Sequence, residues 1–156
     1  MHIFKKIGTF VGTVAIICTY ALSTHATSPR LIDDIIKERQ QIMKNFASAG
    51  RQLNELISSD PANAIANLEN LIISAKNLPS LFPEGSGNPP FSNAASPEIW
   101  KNWNDFNAAT NVLITEMNKI VSLLKAGDTQ SAQQQFGNMM RVGCGTCHSK
   151  FRLSKR

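Results

Sequence analysis

The residues with the clearest chemical signal lie near the end of the chain, where Cys144, Cys147 and His148 form the run Cys-Gly-Thr-Cys-His. This C-x-x-C-H spacing is typical of covalent haem attachment. On a helix, positions i, i+3 and i+4 share one face, so both thiols can reach the vinyl groups of one haem while His148 faces the iron. We expect the adjacent Gly143 and Gly145 to let a porphyrin edge approach the backbone closely.

Three other chemistries use a cysteine pair. A zinc site needs about four nitrogen or sulfur ligands, and beyond the N-terminal segment the chain has only these two cysteines and this one histidine. A thioredoxin-like redox pair opens a helix within an α/β pattern, which this chain does not show. A disulfide between residues three apart would close a small loop and stabilise little. Haem attachment therefore explains the pair best.

The histidine count limits how the iron is ligated. His2 and His25 lie in the N-terminal segment, so His148 is the last histidine left and two-histidine ligation within one chain is excluded. Methionine is the usual alternative sixth ligand. Met139 and Met140 precede His148 on the same predicted helix and cannot reach the opposite haem face. Met43 and Met117 stay open as ligands, although methionines at apolar helical positions often only fill a core.

The N-terminal segment is typical of an export signal. Lys5 and Lys6 precede an uncharged apolar stretch, Ile7 to Leu22, and Thr24-His25-Ala26 resembles a signal-peptidase site. We expect residues 1–26 to be removed and residues 27–156 to form one haem domain in the periplasm. The alternative is an uncleaved anchor, but a spanning helix needs about 20 apolar residues and this stretch is shorter.

Charge and composition exclude some functions. Loss of Lys5 and Lys6 lowers the net charge from +5 to +3, which is too mild to predict nucleic-acid binding. The short basic tail ending at Arg156 is more typical of a solvated end than of a binding patch. With no second histidine and no evident polar cluster to act as acid or base, the sequence does not predict an enzyme.

Helix caps and apolar periodicity predict four helices, and no segment has the period-two alternation of a strand. Pro and Gly residues from Pro79 to Ala95 predict a long surface crossover between helices 2 and 3. The fold class is therefore all-α, an antiparallel four-helix bundle. The predicted helices run from Ser28-Pro29 to near Ser58, from Asp60-Pro61 to before Pro79, from Ser96-Pro97-Glu98 to Gly127, and from Asp128 through Phe151.

Four stretches together resemble the cytochrome c-prime family of four-helix-bundle haem proteins. They are residues 36–44 (IKERQQIMK), 78–86 (LPSLFPEGS), 96–100 (SPEIW) and 144–152 (CGTCHSKFR). The resemblance covers essentially all of the chain after the signal, and it implies one covalently bound haem c.

The resemblance also implies roles for three further residues. It places Met43 against the distal face of the haem, and Arg39 and Arg152 beside the haem. On this basis Arg39 pairs with a haem propionate, and Arg152, one turn after His148, lies near the proximal side. The alternative for both arginines is ordinary surface charge. Family members are often homodimers through their first two helices, so the resemblance allows a homodimer here.

Two functions follow from the resemblance. If Met43 ligates the iron opposite His148, the protein is an electron carrier for periplasmic redox partners. If it does not, a five-coordinate iron binds nitric oxide or carbon monoxide, because Ile42, Met43 and Phe46 offer no hydrogen bond to dioxygen. We expect electron transfer, since a methionine is available where the ligand is needed.

Overall fold

A computed structural model describes residues 29–87 and 95–153. The predicted signal, residues 1–26, and the predicted cap Ser28 lie outside these ranges. Helix α1 spans Pro29–Ser59, so the predicted first helix is confirmed with its end one residue later. No helix in the described part of the chain is long and apolar enough to cross a bilayer.

Helix α2 spans Pro61–Asn77 and begins as predicted. The side chain of Asp60 accepts a hydrogen bond from the Asn63 backbone N–H at 3.1 Å, which satisfies one of the free N–H groups in the first turn. A 3₁₀ turn, Leu78–Leu81, follows directly.

The segment after α2 differs from the predicted surface crossover. In its described part, up to residue 87, Leu81 and Phe82 are buried and Ser86 is 0% exposed. The predicted surface position holds for Ser80, Glu84 and Gly85, which are exposed, but not for these three buried residues, because Pro and Gly signal turns while the apolar residues between them are still driven into the core. The rest of the predicted crossover, residues 88–94, lies outside the described residues.

The predicted third helix is broken into α3, Glu98–Lys101, and α4, Trp103–Lys125. The break is at Asn102, which leaves helical backbone geometry with φ −126° and ψ 50°. Its side-chain amide donates to the Glu98 carbonyl at 3.3 Å and to the Glu98 carboxylate at 2.9 Å. Such local side-chain bonds compete with helix continuation. Gly127 ends the element as predicted, with φ 79°.

The predicted fourth helix has three parts: α5, Thr129–Met139, a π-helical segment, Met140–Gly145, and α6, Thr146–Phe151. The side chain of Asp128 caps α5 by accepting from the Ser131 N–H at 2.9 Å. The π segment was not predicted, because a single widened turn leaves no cap or composition signal. Such turns occur often at functional sites.

The helices form a closed ring in which α1 packs on α2, α2 on α4, α4 on α5, and α5 on α1. Neighbours joined by the short links at Asp60 and at Gly127 run antiparallel, so the predicted all-α four-helix bundle is confirmed. The described residues contain no strand, only an isolated bridge between Ala95 and Arg152.

The buried side chains form two separate clusters. The larger one lies within the four long helices and includes Leu53, Leu68 and Met117. The smaller one joins the 3₁₀ turn, α3, α4 and α6, and its members are Leu78, Leu81, Phe82, Ile99, Phe106 and Phe151. Residues from both clusters border one cavity, which holds the candidate site.

Candidate haem site

The cavity between the two clusters has a volume of about 200 Å³. Helices α1 and α4, the end of α5, the π segment and α6 supply most of its wall. Its lining residues are Met43, Phe46, Ala47, Gly50, Leu53, Leu71, Leu78, Ala109, Thr110, Leu113, Met117, Met139, Met140, Gly143, Cys144, Cys147 and His148.

The structure brings the three residues of the C-x-x-C-H run to this one cavity. Cys144 lies in the π segment, and Cys147 and His148 lie in α6. All three side chains are partly buried and line the wall. Both thiols are free. Two thiols and one imidazole on a single cavity wall form the donor set that covalent attachment and iron ligation require.

Burial controls the protonation of these groups. Burial raises the pKa of the Cys144 thiol. Burial, with a smaller effect from Cys144, raises the pKa of Cys147 to about 11. Burial, followed by the positive charge of Arg152, lowers the pKa of His148. At neutral pH the thiols are therefore protonated and the imidazole is neutral, the form in which histidine binds a metal.

Helix α4 packs directly on the segment that carries this donor set. A Cβ added at Gly143 would lie 3.0 Å from Leu113 Cδ1 and 3.3 Å from Leu113 Cα. Gly143 thus permits close contact between two helices, and this contact was not predicted. A Cβ at Gly145 would meet only the Met140 carbonyl oxygen, at 3.6 Å. The expected approach of a porphyrin edge to these glycines stays a prediction.

The four methionines all border the cavity but occupy different walls. Met43 comes from α1, and Met117 comes from α4, where it is 1% exposed within the larger cluster. Met139 and Met140 lie four residues or more before Cys144 on the attachment segment itself. Met43 therefore lies on α1, whereas His148 is carried by α6 and α6 packs on α4.

The cavity wall suits an apolar, planar cofactor. Apart from the thiols and the imidazole, Thr110 is the one lining side chain with a hydrogen-bonding group. Its hydroxyl donates to the Phe106 carbonyl at 3.1 Å. The residues present therefore fit a haem: an apolar wall for the ring, two thiols for its vinyl groups and an imidazole for its iron. Most of this wall was not predicted as a site, because apolar helical positions facing a cavity resemble those facing a core.

Arg39 lies one turn before Met43 but does not line the cavity. It is 5% exposed, and it donates to the Ser86 carbonyl at 2.7 Å and to the Ser86 hydroxyl at 3.0 Å. Its guanidinium also stacks 4.7 Å from the Phe82 ring centroid, and its burial lowers its pKa. Within residues 29–87 and 95–153, no carboxylate forms an ion pair with it. The surface-charge alternative does not hold for this residue.

Arg152 follows α6 and is exposed. Its backbone N–H donates to the His148 carbonyl at 3.2 Å, and Ser96 N–H donates to the Phe151 carbonyl at 3.0 Å. These bonds fix the backbone at the end of α6. The charge of Arg152 is close enough to act on His148, so the structure places it beside the predicted iron ligand.

A helical bundle with a C-x-x-C-H run on the wall of an apolar cavity defines a c-type haem protein of the four-helix-bundle class. Residues 34–152 match the family model described as Cytochrome C'. The chain belongs to the cytochrome c' family, whose members bind haem c and serve in electron transfer or gas binding.

Curated relatives and solved structures agree with this assignment. The chain is 28% identical over 124 residues to cytochrome c-556 of Agrobacterium fabrum, covering 77% of this chain and 82% of the relative. It is 29% identical over 126 residues to cytochrome c-556 of Agrobacterium tumefaciens strain II Chrys, covering 77% and 98%.

Two solved structures share the fold. A nitric oxide complex of a variant of cytochrome c prime from Alcaligenes xylosoxidans matches with TM-score 0.69 and 24% identity, covering 80% of this chain and 97% of that one. Cytochrome c' from Rubrivivax gelatinosus matches with TM-score 0.66 and 22% identity, covering 78% and 96%.

Proposed function

We propose that the protein is a periplasmic electron carrier with one haem bound covalently through Cys144 and Cys147. His148 ligates the iron on one face and Met43 ligates it on the other. The observation that carries this proposal is that both thiols, the imidazole and a methionine from a different helix line one apolar cavity. The haem supplies the one-electron chemistry, and the chain holds and shields it.

The packing favours Met43 over Met117 as the sixth ligand. Helix α4, which carries Met117, lies directly against the π segment and α6, and Leu113 touches that segment at Gly143. Little space is left there for a ring between the two. Helix α1 instead faces α6 across the cavity, so Met43 and His148 can lie on opposite faces of one plane. A thioether ligand favours reduced iron and raises the potential.

Spin state tests this ligation. Met43→Leu, which keeps an apolar side chain of similar size, should convert a low-spin reduced spectrum to a high-spin one that shifts on adding carbon monoxide. The matched control Met117→Leu should leave the low-spin spectrum unchanged. If Met43→Leu and the parent share one spin state, Met43 is not an iron ligand. Covalent attachment is tested on a denaturing gel, where haem staining should disappear in the Cys144→Ala/Cys147→Ala variant.

The second candidate function is gas binding at a five-coordinate iron. The observation in its favour is the apolar wall formed by Met43, Phe46, Ala47 and Gly50. Since Thr110 already donates its hydroxyl hydrogen to a backbone carbonyl, no described side chain of the wall, apart from the thiols and imidazole that would bind the haem, offers a free hydrogen to bound dioxygen. Such a site suits nitric oxide or carbon monoxide. A parent spectrum that is broad, high-spin and shifted by carbon monoxide would favour this function over electron transfer.

Arg39 supports the proposal through its missing counter-ion. A buried guanidinium is costly to leave without an anion, and its described partners are carbonyls, a hydroxyl and an aromatic ring. A haem propionate near Met43 would supply that anion. Arg152 has a second role in the proposal, because its positive charge next to His148 disfavours protonation of the imidazole and so keeps the ligand free to bind iron.

Location, partners and assembly belong to the same proposal. The expected signal, residues 1–26, would deliver the chain to the periplasm, where haem attachment and soluble redox partners are found together. Homodimer formation through the first two helices stays a prediction that sedimentation would check. We expect no enzymatic activity, because the chain after the predicted signal has no second histidine and no evident polar cluster to act as acid or base.

A further inference from the structure

Two residues that line the cavity are exposed in the described structure. They are Ala47 of α1 and Met140 of the π segment, which is 43% exposed; the other lining residues are buried or partly buried. The two exposed residues belong to neighbouring walls, because a Cβ added at Gly50 would lie 3.7 Å from Met140 Sδ. We call this exposed border between α1 and the attachment segment the cavity opening.

Two cations border the cavity opening. On α1, Lys44 and Arg51 lie three residues before and four residues after Ala47, so all three residues share one helical face. Both basic side chains are exposed.

These cations are not neutralised within the described chain. Its five ion pairs involve Lys37, Lys101, Lys119, Lys125 and Lys150. The nearest carboxylate along α1, that of Glu55, lies one turn beyond Arg51 without forming an ion pair with it. The cavity opening thus has an exposed apolar centre, Ala47 and Met140, next to two cations that form no ion pair within the described residues.

We propose that the cavity opening is the docking surface for an acidic redox protein, with Lys44 and Arg51 as its basic rim. The proposal rests on the electron-carrier function above. Protein interfaces have an apolar centre and a polar rim, and opposite charges at the rim speed encounter and set orientation. A membrane surface fits less well, since peripheral binding needs several large exposed apolar side chains, and Met140 is the one that this opening has among the described residues.

The rate of electron transfer to a small anion reports the local electrostatic potential at this opening, because a positive potential attracts the anion. The reduced protein gives one electron to hexacyanoferrate(III), which becomes hexacyanoferrate(II), and no proton is exchanged. The Lys44→Glu/Arg51→Glu variant should react about tenfold more slowly than the parent at low ionic strength. At about 1 M salt, where the screening length is about 3 Å, the difference should vanish.

A matched control separates position from net charge. Lys101→Glu/Lys125→Glu changes the net charge equally, but its residues belong to exposed ion pairs away from the cavity lining, and breaking such pairs costs little stability. It should slow the reaction much less. Equal slowing by both double variants would overturn the proposal, because the reaction would then depend on total charge alone.

A redox-independent measurement distinguishes this proposal from the electron-carrier function. Poly-L-glutamate should bind the parent and the control variant, and bind the Lys44→Glu/Arg51→Glu variant about tenfold more weakly. If the parent fails to reduce hexacyanoferrate(III) while this binding pattern holds, the electron-carrier function fails and the acidic docking surface stands. A different outcome would overturn docking to a protein in favour of a membrane. In that outcome the parent and the control variant bind phosphatidylglycerol vesicles and the Lys44→Glu/Arg51→Glu variant does not, while all three bind poly-L-glutamate equally.

Discussion

Replacing Gly143 with alanine tests the close contact that holds the attachment segment against α4. The new Cβ would lie 3.0 Å from Leu113 Cδ1 and 3.3 Å from Leu113 Cα. The Cδ1 atom can rotate away, but the Cα atom belongs to the backbone of α4 and moves only with the helix. Overpacking of this kind costs about 1–3 kcal/mol.

Gly137→Ala is the matched control, because a Cβ there meets nothing within 4 Å. Both substitutions gain about 0.5–1 kcal/mol from replacing a helical glycine, so their difference isolates the packing cost. Gly137→Ala should raise the free energy of unfolding slightly. The free energy of unfolding of Gly143→Ala should be about 1–3 kcal/mol lower than that of Gly137→Ala.

The assay is guanidinium unfolding of the haem-loaded proteins, followed by circular dichroism. Melting gives a second readout, with Gly143→Ala expected several degrees below Gly137→Ala, at roughly 2–8 °C per kcal/mol. Equal stability of the two alanine variants would refute the close contact between the π segment and α4. A change in the haem spectrum of Gly143→Ala alone would show that the contact also positions the donor set.

Three further predictions concern groups whose environment the structure defines. Glu116→Gln should cost about 2–3 kcal/mol, because a nearly buried carboxylate bonded to Lys119 is lost. The hydrogen bond from Lys119 is the largest cause that lowers the pKa of Glu116. The stability that this bond gives should therefore be present above the usual carboxyl pKa and be lost as the pH falls below that value. Acid titration should show this loss in the parent and not in the Glu116→Gln variant. In the haem-free chain, the rate at which iodoacetamide labels Cys147 should rise only as the pH approaches about 11. The same chain unfolded in urea is the control, and its labelling rate should rise near the ordinary thiol pKa. A rise near the ordinary pKa in the folded chain would contradict the burial of Cys147. Asp60→Ala should lower the free energy of unfolding by about 1 kcal/mol through loss of its cap bond to the Asn63 N–H, and Asp60→Asn should recover most of that in the same unfolding assay.

Local signals in the sequence predicted the helix ends well. Asp60-Pro61, Gly127 and Asp128 act within one turn of themselves, through cap bonds and a positive φ. Their effect does not depend on the rest of the fold, so it can be read from neighbouring residues alone. The same holds for the C-x-x-C-H run, whose spacing is a local property of one helix.

Several features that the sequence did not predict depend on distant contacts. The burial of Phe82 is one of them, because the Trp100 indole N–H of α3 donates to the Phe82 carbonyl at 3.0 Å. Arg39 anchors the same turn from 47 residues away at Ser86. The π segment is next to the contact between Gly143 and Leu113. No window of sequence contains both partners of any of these contacts.

The two core clusters explain why the donor set was predictable while the rest of the site was not. A chain of this length can form one continuous core, yet here a cavity lies between the two clusters. Residues of both clusters line it, such as Leu53 of the larger and Leu78 of the smaller. A haem that fills this space would join the clusters, so its ring would replace side chains that a cofactor-free bundle would need. The wall residues are therefore selected for packing, as core residues are, and their apolar pattern gives no sign of what they pack against. Of the side chains that would bond to the haem, only Cys144, Cys147 and His148 stand out from a core, because a methionine such as Met43 is itself an ordinary core residue.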